Sequence, residues 1–149
     1  MTAVRAAAGE YSVGPADDVA LSALTVHILV PREKTFRDLH SNARVSAGVA
    51  PMQWYPPLDK LALVRCWQLV NGWPFAHTAP DGTLEFVNQL ARIGLSYAWA
   101  GENLAMNQEA YGGASPDQDA QRAFDGLMGS PTHRDNILFP EYTHFGIGS

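Results

Sequence analysis

Four segments of the chain place apolar residues at the three- and four-residue spacing that turns one face of an α-helix towards a core. They predict helices from Pro31 to just before Gly48, over residues 56–70, over residues 84–93 and over residues 116–128. The second of these segments leaves only a narrow polar face. It is therefore predicted to be largely buried.

Residues with strong preferences for helix ends bound two of these segments. Thr83 is the expected cap of the third helix. At the start of the fourth helix, Ser115 and Gln118 stand three positions apart and form a capping box. A Gly-Ser-Pro sequence at 129–131 ends that helix, because proline does not continue a preceding helix.

Strand patterns are shorter than the helical ones. Residues 102–106 and residues 144–148 are the strand candidates in the second half of the chain. Helices therefore outweigh strands, and the strands cluster late in the sequence. This distribution predicts an α+β fold built in layers.

The amino-terminal part of the chain is less clear. Residues 1–17 mix alanine, glycine and turn formers, which is typical of a loosely tied arm. Over residues 24–30 the alternating pattern favours a strand, whereas the spacing of Leu21, Leu24 and Ile28 would suit a helix. We predict the strand and expect it to join the sheet.

Composition narrows the class of protein. The 149 residues fit one domain, and a formal net charge of −5 argues against a nucleic-acid-binding surface. Cys66 is the one cysteine in the chain, so no internal disulfide can form. No stretch approaches the roughly 18 apolar residues of a transmembrane helix. No basic segment precedes the apolar run at 19–30, so no secretion signal is visible.

Generic catalytic motifs are missing from the sequence. There is no His-Glu-x-x-His, no glycine-rich phosphate loop, no cysteine pair for zinc and no Gly-x-Ser-x-Gly. Three short stretches nevertheless carry distinctive polar residues. They are Phe-Ala-His at 75–77, Gly-Glu-Asn-Leu-Ala at 101–105 and Ser-Pro-Thr-His-Arg-Asp-Asn-Ile-Leu at 130–138.

These stretches, with Asn-Ala-Arg at 42–44, Gly48 and Phe-Gly-Ile-Gly at 145–148, resemble the CAP superfamily. This family comprises the cysteine-rich secretory proteins, antigen 5 and the pathogenesis-related 1 proteins, and its domain is also called the SCP domain. The likeness is to its disulfide-free bacterial branch and covers residues 33–149. It implies an α-β-α sandwich with a small, mainly antiparallel sheet between helical layers. It also implies a cleft with two histidines and usually two acidic residues.

Carried over position by position, the resemblance places His77, His133 and Glu102 in that cleft. The family's second acidic position falls near Ser130, which is not acidic. Two imidazoles and one carboxylate would offer zinc or another divalent ion three ligands and an open position. A water molecule in that position could serve hydrolysis. The candidate proton acceptors are then Glu109, Asp125 and Glu141.

A second chemistry suits the same residues. A histidine oriented by Glu102 could relay the proton of a nucleophilic Ser130. Ser130 precedes a proline, however, and a serine in that position is also typical of a helix cap.

The resemblance also sets the expected domain layout. Residues 1–30 are an arm, and residues 31–149 are the CAP domain. Family members continue past the Phe-Gly-Ile-Gly strand into a further strand, which this sequence is expected to lack. Either the sequence is a fragment of a longer chain, or the arm or another copy of the chain covers the sheet edge, because an uncovered edge promotes association.

The expected function is that of a secreted or cell-surface binding module whose cleft holds a divalent ion or a small ligand. One alternative is a metal- or histidine-assisted hydrolase acting on peptides. The other is lipid or sterol binding, for which Trp73, Phe75 and Phe86 could supply an apolar groove. No nucleic-acid partner is expected.

Overall fold

The structure is a computed structural model, and it describes residues 3–7, 29–107 and 113–149. Its described elements, in chain order, are β1 Ala3–Ala7, α1 Pro31–Ser46, β2 Gln53–Trp54, α2 Pro56–Val70, α3 Glu85–Arg92, β3 Trp99–Asn103, α4 Pro116–Met128, α5 Pro131–Ile137 and β4 His144–Phe145. The predicted α+β class is confirmed. None of the described helices is long and apolar enough to cross a membrane.

All four predicted helices are present as α1 to α4, and the capping box at Ser115 and Gln118 is confirmed. The prediction that Thr83 caps α3 was wrong. The residue at the cap position is Leu84, and the Thr83 hydroxyl donates to Asp81 instead. The short helix α5 was missed, because seven residues are too few to show a helical repeat.

The described strands form two separate pairs. In the first, β1 and β3 run antiparallel, from Ala3 opposite Asn103 to Ala7 opposite Trp99. In the second, β2 and β4 run parallel. β3 begins three residues before the strand predicted at 102–106, and β4 contains only the first two residues of the one predicted at 144–148.

The strand predicted over residues 24–30 falls mostly outside the described residues. Its last two, Leu29 and Val30, belong to neither a helix nor a strand.

Two hydrophobic clusters form the described core. One joins α2, α3 and β3 through Leu61, Phe86, Val87, Leu90 and Ala100. The other joins α4 and α5 through Phe124, Leu127 and Ile137, and α1 packs against it. Because β3 contacts both α3 and α5, it lies between the two groups of helices. Its buried Ala100 and its partly buried Glu102 and Asn103 therefore lie between these groups of helices.

A buried arginine ties α1 to the loop after α5. The Arg44 side chain is fully buried and donates to the carbonyl oxygens of Ala50, Ile137 and Phe139 at 2.7–2.9 Å and of Tyr142 at 3.3 Å. The positive charge of Arg44 is thus met by the dipoles of backbone carbonyl groups at the end of α5 and in the loops that follow α1 and α5. Burial lowers the pKa of Arg44 from its ordinary value.

The last four residues lie along α2. A Cβ atom added at Gly148 would sit 2.5 Å from the Leu63 nitrogen and 2.6 Å from the Ala62 carbonyl carbon. The buried Asp59 carboxylate accepts from the Ile147 backbone N–H at 2.7 Å and from the Trp54 indole at 2.6 Å. Position 148 requires glycine because its backbone is in contact with the backbone of α2.

Candidate functional site

His77 and Glu102 meet in the interior although they belong to different parts of the chain. His77 lies in the loop between α2 and α3, and its carbonyl accepts from the Glu85 backbone N–H at 2.9 Å. Glu102 lies on β3. The imidazole Nδ1 is 2.7 Å from Glu102 Oε2, and the two side chains are 8% and 11% exposed. The predicted proximity of these two residues is therefore present in the structure.

Arg65 on α2 binds the other oxygen of the same carboxylate. Its Nε donates to Glu102 Oε1 at 2.9 Å, and its Nη2 donates to the Ala76 carbonyl at 2.7 Å. Its Nη1 donates to Gln68 Oε1 at 2.8 Å, so all three guanidinium nitrogens are engaged. Arg65 was not among the site residues predicted from the sequence. The available signal was a charged residue within the mostly apolar stretch 61–70, which indicates a buried charge that needs a partner.

A polar network continues from Arg65 towards α3. Gln68 Nε2 donates to Glu85 Oε1 at 2.8 Å. The same oxygen accepts from Gln89 at 3.2 Å and from Arg92 at 3.1 Å. Gln68, Glu85 and Gln89 are almost completely buried. This side of the site is therefore held by paired charges and amides, as burial of such groups requires.

His133 stands on α5 and is fully buried. Its Nδ1 atom is 2.8 Å from the hydroxyl oxygen of Ser130, which occupies the cap position of this helix. The Ser130 side chain makes no hydrogen bond to the helix backbone. The serine hydroxyl is thus directed to the histidine ring rather than to the N–H groups at the start of α5.

Two asparagines connect β3 to α5. Asn136 donates to the Glu102 carbonyl at 3.3 Å and to Asn103 Oδ1 at 2.9 Å. Asn103 in turn donates to the His133 carbonyl at 3.3 Å. Tyr142 completes the set by donating to Asn136 Oδ1 at 2.9 Å. The segments that carry Glu102 and His133 are therefore joined by hydrogen bonds.

The free side of the His77 ring is its Nε2 atom. This atom is buried and has no hydrogen-bond partner in the part of the chain that the structure describes. With Nδ1 donating to a carboxylate, Nε2 carries a lone pair, because a neutral imidazole has one donor and one acceptor. Such an atom can bind a metal ion or accept a hydrogen bond.

Glu102 is placed differently from the expectation that it ligates a metal ion. Each of its oxygens already accepts a hydrogen bond, one from Arg65 and one from His77. This arrangement is typical of a carboxylate that orients a metal-binding histidine. Within residues 3–7, 29–107 and 113–149, no three His, Cys, Asp or Glu side chains are grouped so as to hold an ion. The described residues thus fit ligation by His77, with Glu102 behind it.

Two of the three candidate proton acceptors, Asp125 and Glu141, lie in the described part of the chain. Asp125 is exposed on α4 and accepts from Gln121 at 2.8 Å, and Glu141 is exposed after α5. Glu109 lies outside the described residues.

Cys66 is the neighbour of Arg65 on α2, and its thiol is 3.3 Å from the Gly148 carbonyl oxygen. Burial raises the pKa of this thiol, and the charges of Glu33 and Glu102 raise it further. A thiol that remains protonated is a poor nucleophile and a poor metal ligand. We therefore leave Cys66 out of the site.

Comparison with known proteins adds to this geometry. The sequence pattern of the family described as the cysteine-rich secretory protein family, CAP, matches residues 37–149. The chain is 31% identical over 116 residues to the uncharacterized protein YkwD of Bacillus subtilis (strain 168). It is 29% identical over 117 residues to the uncharacterized membrane protein YlbC of the same organism.

Each alignment covers 78% of this chain, but only 41% of YkwD and 31% of YlbC. The chain therefore spans well under half the length of these relatives. No solved structure gives a significant match.

Proposed function

The chain belongs to the cysteine-rich secretory protein (CAP) family, and we propose that its CAP domain is a binding module that holds its ligand at Nε2 of His77. One observation carries the proposal. The Nε2 atom is buried with no described partner, while Nδ1 is bound to Glu102 at 2.7 Å. A buried polar atom without a partner is costly, and a ligand at this position would remove that cost.

The chemistry of the atom defines the class of ligand. An imidazole lone pair binds zinc-type divalent ions and accepts hydrogen bonds from N–H or O–H groups. His133 is the second histidine of the same proposed site, because Asn103 and Asn136 tie its segment to β3. A bound zinc ion would supply Lewis acidity. The protein's part is to present the two rings and to keep Glu102 hydrogen-bonded to His77.

The test compares the wild-type protein with His77→Gln and with the control His144→Gln, a histidine exposed on β4. Zinc chloride is added to metal-free protein, and thermal unfolding and calorimetry are followed. Molecules that copurify are identified by mass spectrometry. We expect zinc binding, or a copurified small molecule, in the wild-type protein and in the control but not in His77→Gln. Binding that persists in His77→Gln, or neither signal in the wild-type protein, overturns the proposal.

A second function is favoured by the contact between Ser130 and His133. At 2.8 Å, His133 Nδ1 is close enough to take the Ser130 proton as the hydroxyl oxygen attacks an acyl carbon. The serine would then carry the acyl group, and the histidine would return the proton to the leaving group.

This hydrolase proposal is tested with nitrophenyl esters and a peptide substrate library. Ser130→Ala should abolish turnover, whereas Thr132→Ala, which changes a neighbouring hydroxyl, should retain it. Turnover that is equal in the two variants, or absent from the wild-type protein, would count against a Ser130 nucleophile.

Lipid binding is the weaker alternative, because Phe86, one of the aromatic residues considered for a groove, is buried in the core cluster around Leu61. A copurified lipid in the mass spectra would favour it over a polar ligand.

We also propose that the module acts outside the cytoplasm or at the cell surface, because many CAP proteins are extracellular. Fractionation of cells that express the full-length protein tests this localisation, and recovery in the cytosol alone would contradict it.

A further inference from the structure

A single guanidinium group, that of Arg65, holds both the carboxylate that orients His77 and the backbone that carries it. We propose that Arg65 is the positioning residue that sets the direction and the tautomer of the His77 ring. This inference rests on the proposed function, since it concerns the way in which Nε2 is presented to a ligand.

Arg65 contacts the surroundings of the His77 ring at two points. Nε of Arg65 binds Glu102 Oε1 at 2.9 Å, and Nη2 binds the carbonyl of Ala76 at 2.7 Å. Ala76 directly precedes His77 in the chain. One rigid planar group therefore fixes two points around the imidazole, namely the acceptor of its Nδ1 proton and the peptide unit before it. A lysine ammonium has no such planar set of donors and could not reproduce both contacts.

The Arg65 side chain is itself held in place. It is only 2% exposed, and its Nη1 is bound to Gln68, which is in turn bound to Glu85. The backbone N–H of Glu85 donates to the His77 carbonyl at 2.9 Å. The contacts thus form a closed circuit that leaves from His77 and returns to it. Such a circuit restricts the ring more than the single bond to Glu102 could.

Arg65 also balances the charge of Glu102. This carboxylate is mostly buried, and Arg65 binds the oxygen that His77 does not contact. Glu102 can therefore act as a hydrogen-bond acceptor for Nδ1 without a metal ion to balance it. The ring is oriented before any ligand arrives.

The test uses Arg65→Lys, with Arg44→Lys as the matched control. Arg44 is likewise a buried arginine, and its described hydrogen bonds go to backbone carbonyls outside this network. The readout is the ¹⁵N spectrum of the His77 ring, recorded without ligand at one fixed pH. It distinguishes a ring protonated only on Nδ1 from one that exchanges between tautomers.

We expect the wild-type protein and Arg44→Lys to show Nδ1 protonated and Nε2 bare. Arg65→Lys should show averaged signals and a loss of zinc affinity of about tenfold or more, which corresponds to roughly 1.4 kcal/mol. A ring spectrum in Arg65→Lys that matches the wild type would overturn the proposal. So would the same averaging in Arg44→Lys, because the effect would then be a general loosening of the fold.

If Arg65→Lys does not fold, Gln68→Met decides the question, because it removes one anchor of Arg65 and leaves Arg65, Glu102 and His77 in place. Partial averaging supports the proposal, and an unchanged ring spectrum overturns it. The spectrum needs no ligand, so its outcome is independent of zinc binding. Failure of the proposed function and failure of this inference can therefore be told apart.

Discussion

Nδ1 of His77 lies 2.7 Å from Oε2 of Glu102, and the same carboxylate accepts from Arg65 through its other oxygen. Glu102 therefore stands between a cation and an imidazole, and both of its oxygens are used. The contact defines which nitrogen of His77 is left for a ligand, and it makes the role of Glu102 testable by an isosteric change.

Glu102→Gln should reverse the tautomer of His77. The amide oxygen would keep the hydrogen bond from Arg65, so the amide NH₂ would face Nδ1, which would then have to accept. The ring proton would move to Nε2, and the lone pair offered to a metal ion would be lost. We expect ring ¹⁵N signals opposite to those of the wild type, loss of zinc binding, and a decrease of about 1–3 kcal/mol in the free energy of unfolding. Wild-type zinc affinity in this variant would contradict the assigned role.

Asn136→Ala should loosen the link between β3 and α5. The variant removes the bonds to the Glu102 carbonyl and to Asn103, and it leaves the Tyr142 hydroxyl without its acceptor. We expect the free energy of unfolding to fall by about 2–4 kcal/mol and ligand binding to weaken with it. The control is Asn71→Ala, an exposed residue whose described side-chain hydrogen bond is to the Trp67 carbonyl of the preceding helix, for which we expect about 0.5 kcal/mol or less. Equal losses in urea denaturation would show that the buried link has no special weight.

Gly148→Ala should separate the last residues from α2. The added methyl group would overlap the backbone at Ala62 and Leu63, which cannot move without distorting the helix. We expect destabilisation of about 3 kcal/mol, at the upper end of the usual cost of overpacking. In the control Gly129→Ala, the nearest atom is the Asp125 carbonyl oxygen at 3.2 Å, and the expected loss is within about 1 kcal/mol. Thermal melts of the two variants that coincide would argue against the close contact.

Stability should fall in mild acid because of His40. This ring is stacked on Phe145, with centroids 5.5 Å apart. Burial, and then the charge of Arg44, lower the pKa of His40 from 6.5 to about 4. Between these two values the unfolded chain binds the proton more readily than the folded one. This contribution to stability is therefore complete above pH 6.5 and is lost as the pH falls towards 4, at up to about 1.4 kcal/mol per pH unit.

The measurement is urea denaturation between pH 4 and 7 for the wild-type protein and His40→Phe, which keeps an aromatic ring but cannot titrate. The variant should show a shallower loss of stability over this range. Parallel curves for the two proteins would mean that His40 does not titrate as described.

Much of the helical structure could be read from the chain alone. Apolar spacing with proline at the starts marks α1, α2 and α4, because helix periodicity and end preferences are local properties. The strands were harder. β2 and β4 have two residues each, and a strand pattern of two residues occurs by chance at many places in a sequence. Which residues form a strand also depends on the strand that pairs with them, and that strand can lie far away in the sequence, as with β1 and β3.

The family resemblance singled out His77, Glu102 and His133, but not how they are held. Arg65 and Gln68 lie in the mostly apolar stretch 61–70, where a sequence pattern does not show which groups they bind. Their hydrogen-bond partners come from α3, β3 and the loop before His77. The direction of Ser130 towards His133, rather than into the backbone of α5, was also open until the structure placed both.

By itself, the amino-acid sequence determined the helices α1 to α4, the α+β class and the family, because these depend on local spacing and on short sequence motifs. The tertiary structure alone decided that Glu102 is committed to Arg65 and His77, that Nε2 of His77 is the atom left over, and that two asparagines join β3 to α5. The physical reason is that a hydrogen bond depends on distance and direction within a few tenths of an ångström. Residues tens of positions apart reach such geometry only after the whole chain has packed.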